Sequence, residues 1–269
     1  MTIAIAIQSC INYKDRRDAI RNTWMKDIPS DVFSCFFVGS HCDEPNVENL
    51  NCGDSYKDCG IKQFEMIKFL KDYDHVFFCD DDTYVVVDRL LNSEYENDDY
   101  IGCPCNIENS HVIMAHGGAG FWMSKKAMNK ALEIGINHNQ FHNNIFSDRT
   151  VAYLMDMAGI KLKGDYRYNL GKYNGNKGFC NLVPNKNNKY ITTHFVVPYM
   201  FKMIDYHFKH GHPLPINNYS VNFGKNIIVL ENKDGTWKYK INGDDSFIGN
   251  FNMANEAELA AMYKLGFRN

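Results

Sequence analysis

Three consecutive carboxylates, Asp80-Asp81-Asp82, follow the apolar run Val76-Phe77-Phe78-Cys79. An apolar strand that ends abruptly in acids delivers them to the carboxyl edge of a parallel sheet, where α/β proteins place ligands. Adjacent acids raise one another's pKa in a low dielectric unless a cation compensates. Hard divalent ions with oxygen ligands suit such a cluster, and Mg²⁺ or Mn²⁺ commonly shares its coordination with substrate phosphates. An acidic surface turn is the bland alternative, but it usually lacks both the buried strand before it and an apolar run after it. A phosphatase of the haloacid-dehalogenase type wants Thr or Val where this chain has Tyr84, and an EF-hand loop needs a central glycine and a closing glutamate. The sequence has neither pattern.

Apolar runs alternating with helical patterns argue for βα units and a mainly parallel sheet. Residues 3–7 read as a first strand and 15–24 as a helix, with Asp15 as N-cap and Ala19, Ile20 and Trp24 on one face. Trp24 reads as core. Residues 32–38 form a second strand, 40–59 an acidic surface loop, 61–70 a helix, and 75–79 the strand that presents the acids. Residues 100–103 and 112–115 read as strands, 117–120 as a glycine turn, 124–134 as a helix capped by Ser124, and 148–157 as a helix stopped near Gly159. Past His210 the character changes. Residues 227–230 and 237–241 flank Asp234-Gly235, a strong hairpin signal, and 255–265 reads as a closing helix opened by an Asn255/Glu258 capping box. The expected organisation is therefore a domain over 1–210 and a hairpin-and-helix extension over 211–269 packed on it.

Bulk properties exclude several function classes. A formal net charge of -3 implies no general attraction to nucleic acid or anionic membrane, so phosphate chemistry must come from a local site. No apolar stretch approaches the ~20 residues a membrane span requires. Residues 1–7 lack a basic leader region and read as a buried strand. The nine cysteines include no Cys-x-x-Cys pair, and free thiols in a reducing compartment are favoured over a disulfide framework. Cys103 and Cys105 flank a proline and would share one strand face.

Five blocks give a resemblance. Arg16-Arg17-Asp18-Ala19-Ile20-Arg21-Asn22-Thr23-Trp24 resembles the Arg-x-x-Ile-Arg-x-Thr-Trp motif of the β1,3-galactosyltransferase and Fringe group, glycosyltransferase family 31. Asp80-Asp81-Asp82 is similar to that group's aspartate motif, and Gly117-Gly118-Ala119-Gly120-Phe121 to its Gly-Gly-Ala-Gly segment. Ser147-Asp148 before a helix and Gly159-Ile160 resembles its acidic pair, with Ser at the first position as a departure. Thr193-His194-Phe195 resembles a late histidine motif. The blocks keep family order over roughly residues 1–210.

The resemblance implies a GT-A fold, a nucleotide-binding α/β sheet beside an acceptor cleft, and an inverting transferase that uses a UDP-sugar and a divalent metal, Mn²⁺ before Mg²⁺. Asp82 and His194 would hold the metal, with Asp80 and Asp81 reaching the ribose, the sugar or the metal's waters. Asp148 would be the general base, although a carboxylate at a helix start also serves as a cap. Gln8 and Ser9 end the first strand, where the family binds the base. Arg17 and Arg21 share a helix face, either toward the diphosphate or as a solvated basic face. Lys62 is a phosphate contact or a surface lysine, and Gly117 and Gly118 would let backbone approach the donor sugar. The partners would be the donor and a glycan or glycoprotein acceptor, with no nucleic acid and no membrane span. The tail would cover the acceptor cleft or support self-association as a homo-oligomer. The expected compartment is a cytoplasm, with a trimmed lumenal domain as the alternative. A non-catalytic sugar- or nucleotide-binding protein and a metal-dependent phosphohydrolase are the competing functions.

Overall fold

The computed structural model describes residues 1–135, 146–169, 184 and 188–210 (side chains at 199, 203 and 207 excepted), and the backbone of three later strands. The chain divides into two compact units, Met1–Lys172 with Leu182–Gly211, and Tyr173–Asn181 with His212–Asn269.

The first unit is built on a seven-stranded sheet. In chain order its strands are β1 (Ile3–Gln8), β2 (Phe33–Val38), β3 (Val47–Asn49) and β4 (His75–Asp80). A short β5 (Tyr84–Val85) lies apart, followed by β6 (Tyr100–Gly102), the hairpin β7 (Pro104–Asn106) and β8 (Ile113–Ala115), β9 (Phe121–Ser124) and β10 (Lys163–Gly164). The order across the sheet is β10-β6-β9-β4-β1-β2-β3. Strands β3, β2, β1 and β4 run parallel, while β9 lies antiparallel between β4 and β6. A second sheet joins β11 (Tyr168–Asn169), β12 (Thr192–Thr193) and β5. Helices are α1 (Lys14–Arg21), α2 (Cys59–Leu70), α3 (Val87–Leu91), α4 (Lys125–Ile134), α5 (Ser147–Met157) and α6 (Pro198–His210).

The core follows from strand alternation. Ala4 and Ala6 of β1, with Val76 and Phe78 of β4, face a cluster completed by Met66, Leu70, Val151 and Leu154 from α2 and α5. The two alanines leave room for α2 to approach the sheet. On the opposite face Phe77 packs against Trp122 and Tyr168, at ring separations of 5.3 and 5.9 Å. Burying each such aromatic side chain contributes about 1.5–3 kcal/mol, which fixes the register of the strand that ends at the aspartates. Ser124 caps α4 as expected, accepting the Ala127 N–H at 3.1 Å.

Differences from the sequence reading have local causes. The residue before α1 is Tyr13, with no side-chain cap, and Asp15 sits in the first turn, where a carboxylate also favours the helix dipole. Residues 40–59 are not all loop: they hold β3 and a 3-10 turn, Tyr56–Asp58, closed by a Ser55/Asp58 capping box. Residues 121–123, which the sequence reading assigned to no element, form with Ser124 the antiparallel strand β9. Cys103 and Cys105 do not share a strand, because the chain leaves the main sheet after Gly102 and enters the β7–β8 hairpin. Helix α6, which opens on Pro198, was not anticipated. Among the described residues no helix is long and apolar enough to cross a membrane, and all eight cysteines are free thiols.

In the second unit β13 (Ile227–Glu231), β14 (Trp237–Ile241) and β15 (Ile248–Phe251) form an antiparallel sheet. The pairing of the first two is the hairpin expected around Asp234-Gly235, and β15 adds a strand. The helix expected over 255–265 lies outside the described residues.

Candidate functional site

The aspartate turn is fixed from four sides. The Asp81 N–H donates to the Gln8 carbonyl at 3.1 Å, extending the β1–β4 ladder past Asp80. The fully buried Trp24 donates its indole N–H to the Thr83 carbonyl at 3.1 Å, tying the segment after α1 to the turn. The Thr83 hydroxyl donates to the Gly118 carbonyl at 2.7 Å, joining the turn to the glycine segment. From the other end of the chain, the Val196 N–H donates to the Asp82 carbonyl at 2.9 Å.

That last bond places His194 beside the acids. One ligand atom each from Asp80, Asp82 and His194 lies within 4.8 Å of the others. His194 Nε2 stands 3.1 Å from Asp82 Oδ1. The contact is not aligned as a hydrogen bond, and Asp82 Oδ1 is a buried acceptor without a hydrogen-bond partner. Two ligands at right angles on an ion with bonds of ~2.1 Å stand ~3 Å apart, so these atoms fit adjacent positions on one divalent cation. Gln8 Oε1, His116 Nδ1 and His194 Nδ1 are also buried without a partner. Such groups are rare in a finished core and are expected where a ligand completes the bonding.

The electrostatics agree with a site built for a cation. Burial, then repulsion from Asp82, pushes the Asp80 carboxyl up to about 7. Burial pushes Asp81 up to about 6, against the opposing pull of Arg16 and Ser9. Burial acts in the same upward direction on Asp82, but His194 and Arg16 outweigh it and hold this carboxyl below its ordinary value. Burial lowers His116, whose ring centroid is 5.3 Å from that of His194, with help from that neighbour.

Asp148 occupies the first turn of α5 and is tied to the same glycine segment. Its Oδ2 accepts the Gly117 N–H at 3.1 Å, and its Oδ1 accepts the Arg149 N–H at 2.8 Å. The two glycines have a role other than approach to a donor sugar. A Cβ on Gly118 would sit 2.1 Å from His194 Nε2, and one on Gly117 would sit 3.3 Å from Asp148 Cβ. Their missing side chains let the imidazole and the carboxylate close on one strip of backbone.

The remaining expectations are revised by position. Arg17 is fully buried and spends its donors on Glu44, the Ser9 hydroxyl and the carbonyls of Cys10 and Ile11. Arg21 pairs with Asp18 and Glu44 and donates to the Pro45 carbonyl. Neither touches the aspartates, and the two hold Glu44 down at about 2. Lys62 is neither a surface lysine nor a group facing the aspartates. It is 2% exposed, and its ammonium donates to Asp54 and to the Ser9 carbonyl, both at 2.6 Å. Ser9 turns inward as well, donating its hydroxyl to Asp81 Oδ2 at 2.7 Å.

The arginine that reaches the acids is Arg16, with Nη1 2.9 Å from Asp81 Oδ1 and 3.4 Å from Asp82 Oδ2. Sequence reasoning missed it because i,i+4 spacing selects the Arg17/Arg21 pair, and spacing cannot say which face of α1 meets the site. His116 was missed also; its signal was its place directly before the glycine segment.

A sequence model of the family described as Fringe-like matches residues 1–162, more than half the chain. The chain belongs to the Fringe-like family. It is a glycosyltransferase with the α/β GT-A architecture, and Asp80–Asp82 and the glycine segment fall inside the matched region. Solved structures of related shape include the glycosyltransferase GlyE of Streptococcus pneumoniae TIGR4, 11% identical over 82% of this chain and 67% of that one, with a TM-score of 0.47. The galactosyltransferase LgtC, solved with donor and acceptor sugar analogs, is 11% identical over 76% and 96%, with a TM-score of 0.42. A glycosyltransferase involved in glycosylation of the major capsid of PBCV-1 is 12% identical over 77% and 100%, with a TM-score of 0.44.

Proposed function

We propose that this Fringe-like protein is an inverting glycosyltransferase that moves a sugar from a UDP-sugar to a glycan hydroxyl, forming a β-linkage, with Mn²⁺ as the preferred ion. The observation that supports it is the paired use of Gly117 and Gly118: one receives Asp148, the other lies against His194. The metal-ligand group and a candidate base therefore flank a single turn of backbone.

Asp80, Asp82 and His194 would hold the ion, which when bound neutralises the donor diphosphate and makes the nucleotide a better leaving group. Asp148 takes the proton of the acceptor hydroxyl as its oxygen attacks the anomeric carbon, and the nucleoside diphosphate leaves with the electron pair of the broken bond. The bonds from Gly117 and Arg149 hold the carboxylate in one orientation, which spares the entropy of finding it. Gln8, with an unpartnered buried amide oxygen at the end of β1, would meet the nucleotide. Galactose, N-acetylglucosamine, glucose and xylose are the donor sugars to compare.

The test is a thermal-shift screen of nucleotide-sugars with Mn²⁺ and with chelator, followed by product analysis. One UDP-sugar that raises the melting point with Mn²⁺ alone, and not in Asp82→Ala, supports the reading. No shift from any nucleotide-sugar in either condition overturns it.

A further inference from the structure

Three arginines lie along α1 or at its end, and they are not equivalent. Arg17 and Arg21 belong to a structural network around Glu44. Arg16 alone stands at the mouth of the aspartate turn, 29% exposed, with its guanidinium 4.2 Å above the half-exposed Tyr13 ring. Among the described residues it holds both acids through one nitrogen, Nη1, which leaves Nε and Nη2 free to donate.

One partner of that nitrogen, Asp82, is a residue that a divalent ion competes for. Asp81 is committed twice, to Arg16 and to the Ser9 hydroxyl. Asp82 is divided: Oδ2 faces Arg16 and Oδ1 faces His194. A carboxylate shared between a guanidinium and a metal position cannot serve both at full strength, because each cation lowers the other's gain. A planar guanidinium released from Asp82 remains anchored through Asp81 and has the fork geometry that matches phosphate oxygens.

Building on the metal-dependent reading above, we propose that Arg16 is an exchangeable counter-ion: it neutralises Asp81 and Asp82 in the free protein, yields Asp82 to the divalent ion, and turns its free nitrogens to the donor's diphosphate. It is a donor-positioning residue, and the ion and the diphosphate must then bind in a coupled order, with the metal weakened and the nucleotide strengthened by the same side chain.

Opposite signs make the test. Mn²⁺ binding without nucleotide, followed by calorimetry and by the Mn²⁺ EPR signal, is compared between the wild type and Arg16→Gln. UDP binding is then measured at saturating Mn²⁺. The expected result is about tenfold tighter Mn²⁺ and about tenfold weaker UDP in Arg16→Gln, with smaller shifts of the same signs in Arg16→Lys, which also serves if the first variant folds poorly. Unchanged or weaker Mn²⁺ binding, or unchanged UDP binding, overturns the proposal while leaving the transferase reading intact. A wild type that binds no Mn²⁺ removes the metal reading and this inference with it.

Discussion

Replacing Gly118 by alanine is the sharpest test of the site's geometry. The added Cβ would fall 2.1 Å from His194 Nε2 and 2.2 Å from Cε1. To reach ordinary contact near 3.4 Å the ring must retreat by about 1.3 Å. Metal–ligand distances tolerate only ~0.2 Å, so the imidazole is lost as a ligand even though it is still present. Mn²⁺ affinity should fall about 100-fold, or about 2.8 kcal/mol, as for a disrupted outer ligand shell. Calorimetric titration of Gly118→Ala, His194→Ala and the double variant provides the assay. The two single changes should match, and the double should be no worse than either, because both delete one interaction. A Gly118→Ala protein that binds Mn²⁺ within threefold of wild type, while His194→Ala does not, would refute the argument: the ring would not then need the position that Gly118 grants it.

Three further outcomes follow from the same geometry. Asp148→Asn keeps an acceptor for the Gly117 N–H but cannot take a proton, so turnover should drop by about 10²–10⁴-fold while UDP and Mn²⁺ binding hold; equal turnover would remove Asp148 as base. Lys62→Met leaves Asp54 buried beside two backbone donors without its ammonium, a loss of about 3–5 kcal/mol; the melting point should fall by about 6–20 °C, whereas a loss of UDP affinity at an unchanged melting point would make Lys62 a phosphate contact after all. The folded values of about 7 for Asp80 and about 6 for Asp81 lie above the unfolded carboxylate range, so the native state binds more protons between roughly pH 4 and 7. These two groups therefore contribute stability below pH 4 that is lost as pH rises through 6 to 7. In chelator, Asp80→Asn should flatten the decline of melting temperature over that window, and an identical slope in the variant would contradict the shift.

The parts of this site legible in sequence were those announced by composition along a short stretch. An apolar strand running into three acids specified both the strand and its edge, and the resemblance picked out the glycine run and Ser147-Asp148, although not the bond between Gly117 and Asp148 that joins them. Residues whose role depends on a third dimension were misassigned. Lys62 and Arg17 carry charges that sequence favours at the surface, and only Asp54 and Glu44, eight and 27 residues away, explain why they are buried. Strand β9 escaped because four residues between a glycine turn and a capped helix show too few alternations to declare a period. Helix α6 did carry a signal, proline at its first position, but its neighbours lie outside the regular βα alternation that guided the reading.

The backbone bond from Val196 to Asp82 has a consequence for the order in which the molecule becomes competent. The carboxylates and the imidazole belong to stretches about 110 residues apart, and bringing such distant stretches together costs loop entropy that grows with the logarithm of their separation. The region matched by the Fringe-like family ends at residue 162, before β12 and His194. A chain emerging during synthesis therefore presents its acids long before it can present its histidine. An ion bound by both would act as a late staple across the whole span, and the resistance of residues 192–196 to a protease should then rise with metal loading well before any sugar is transferred.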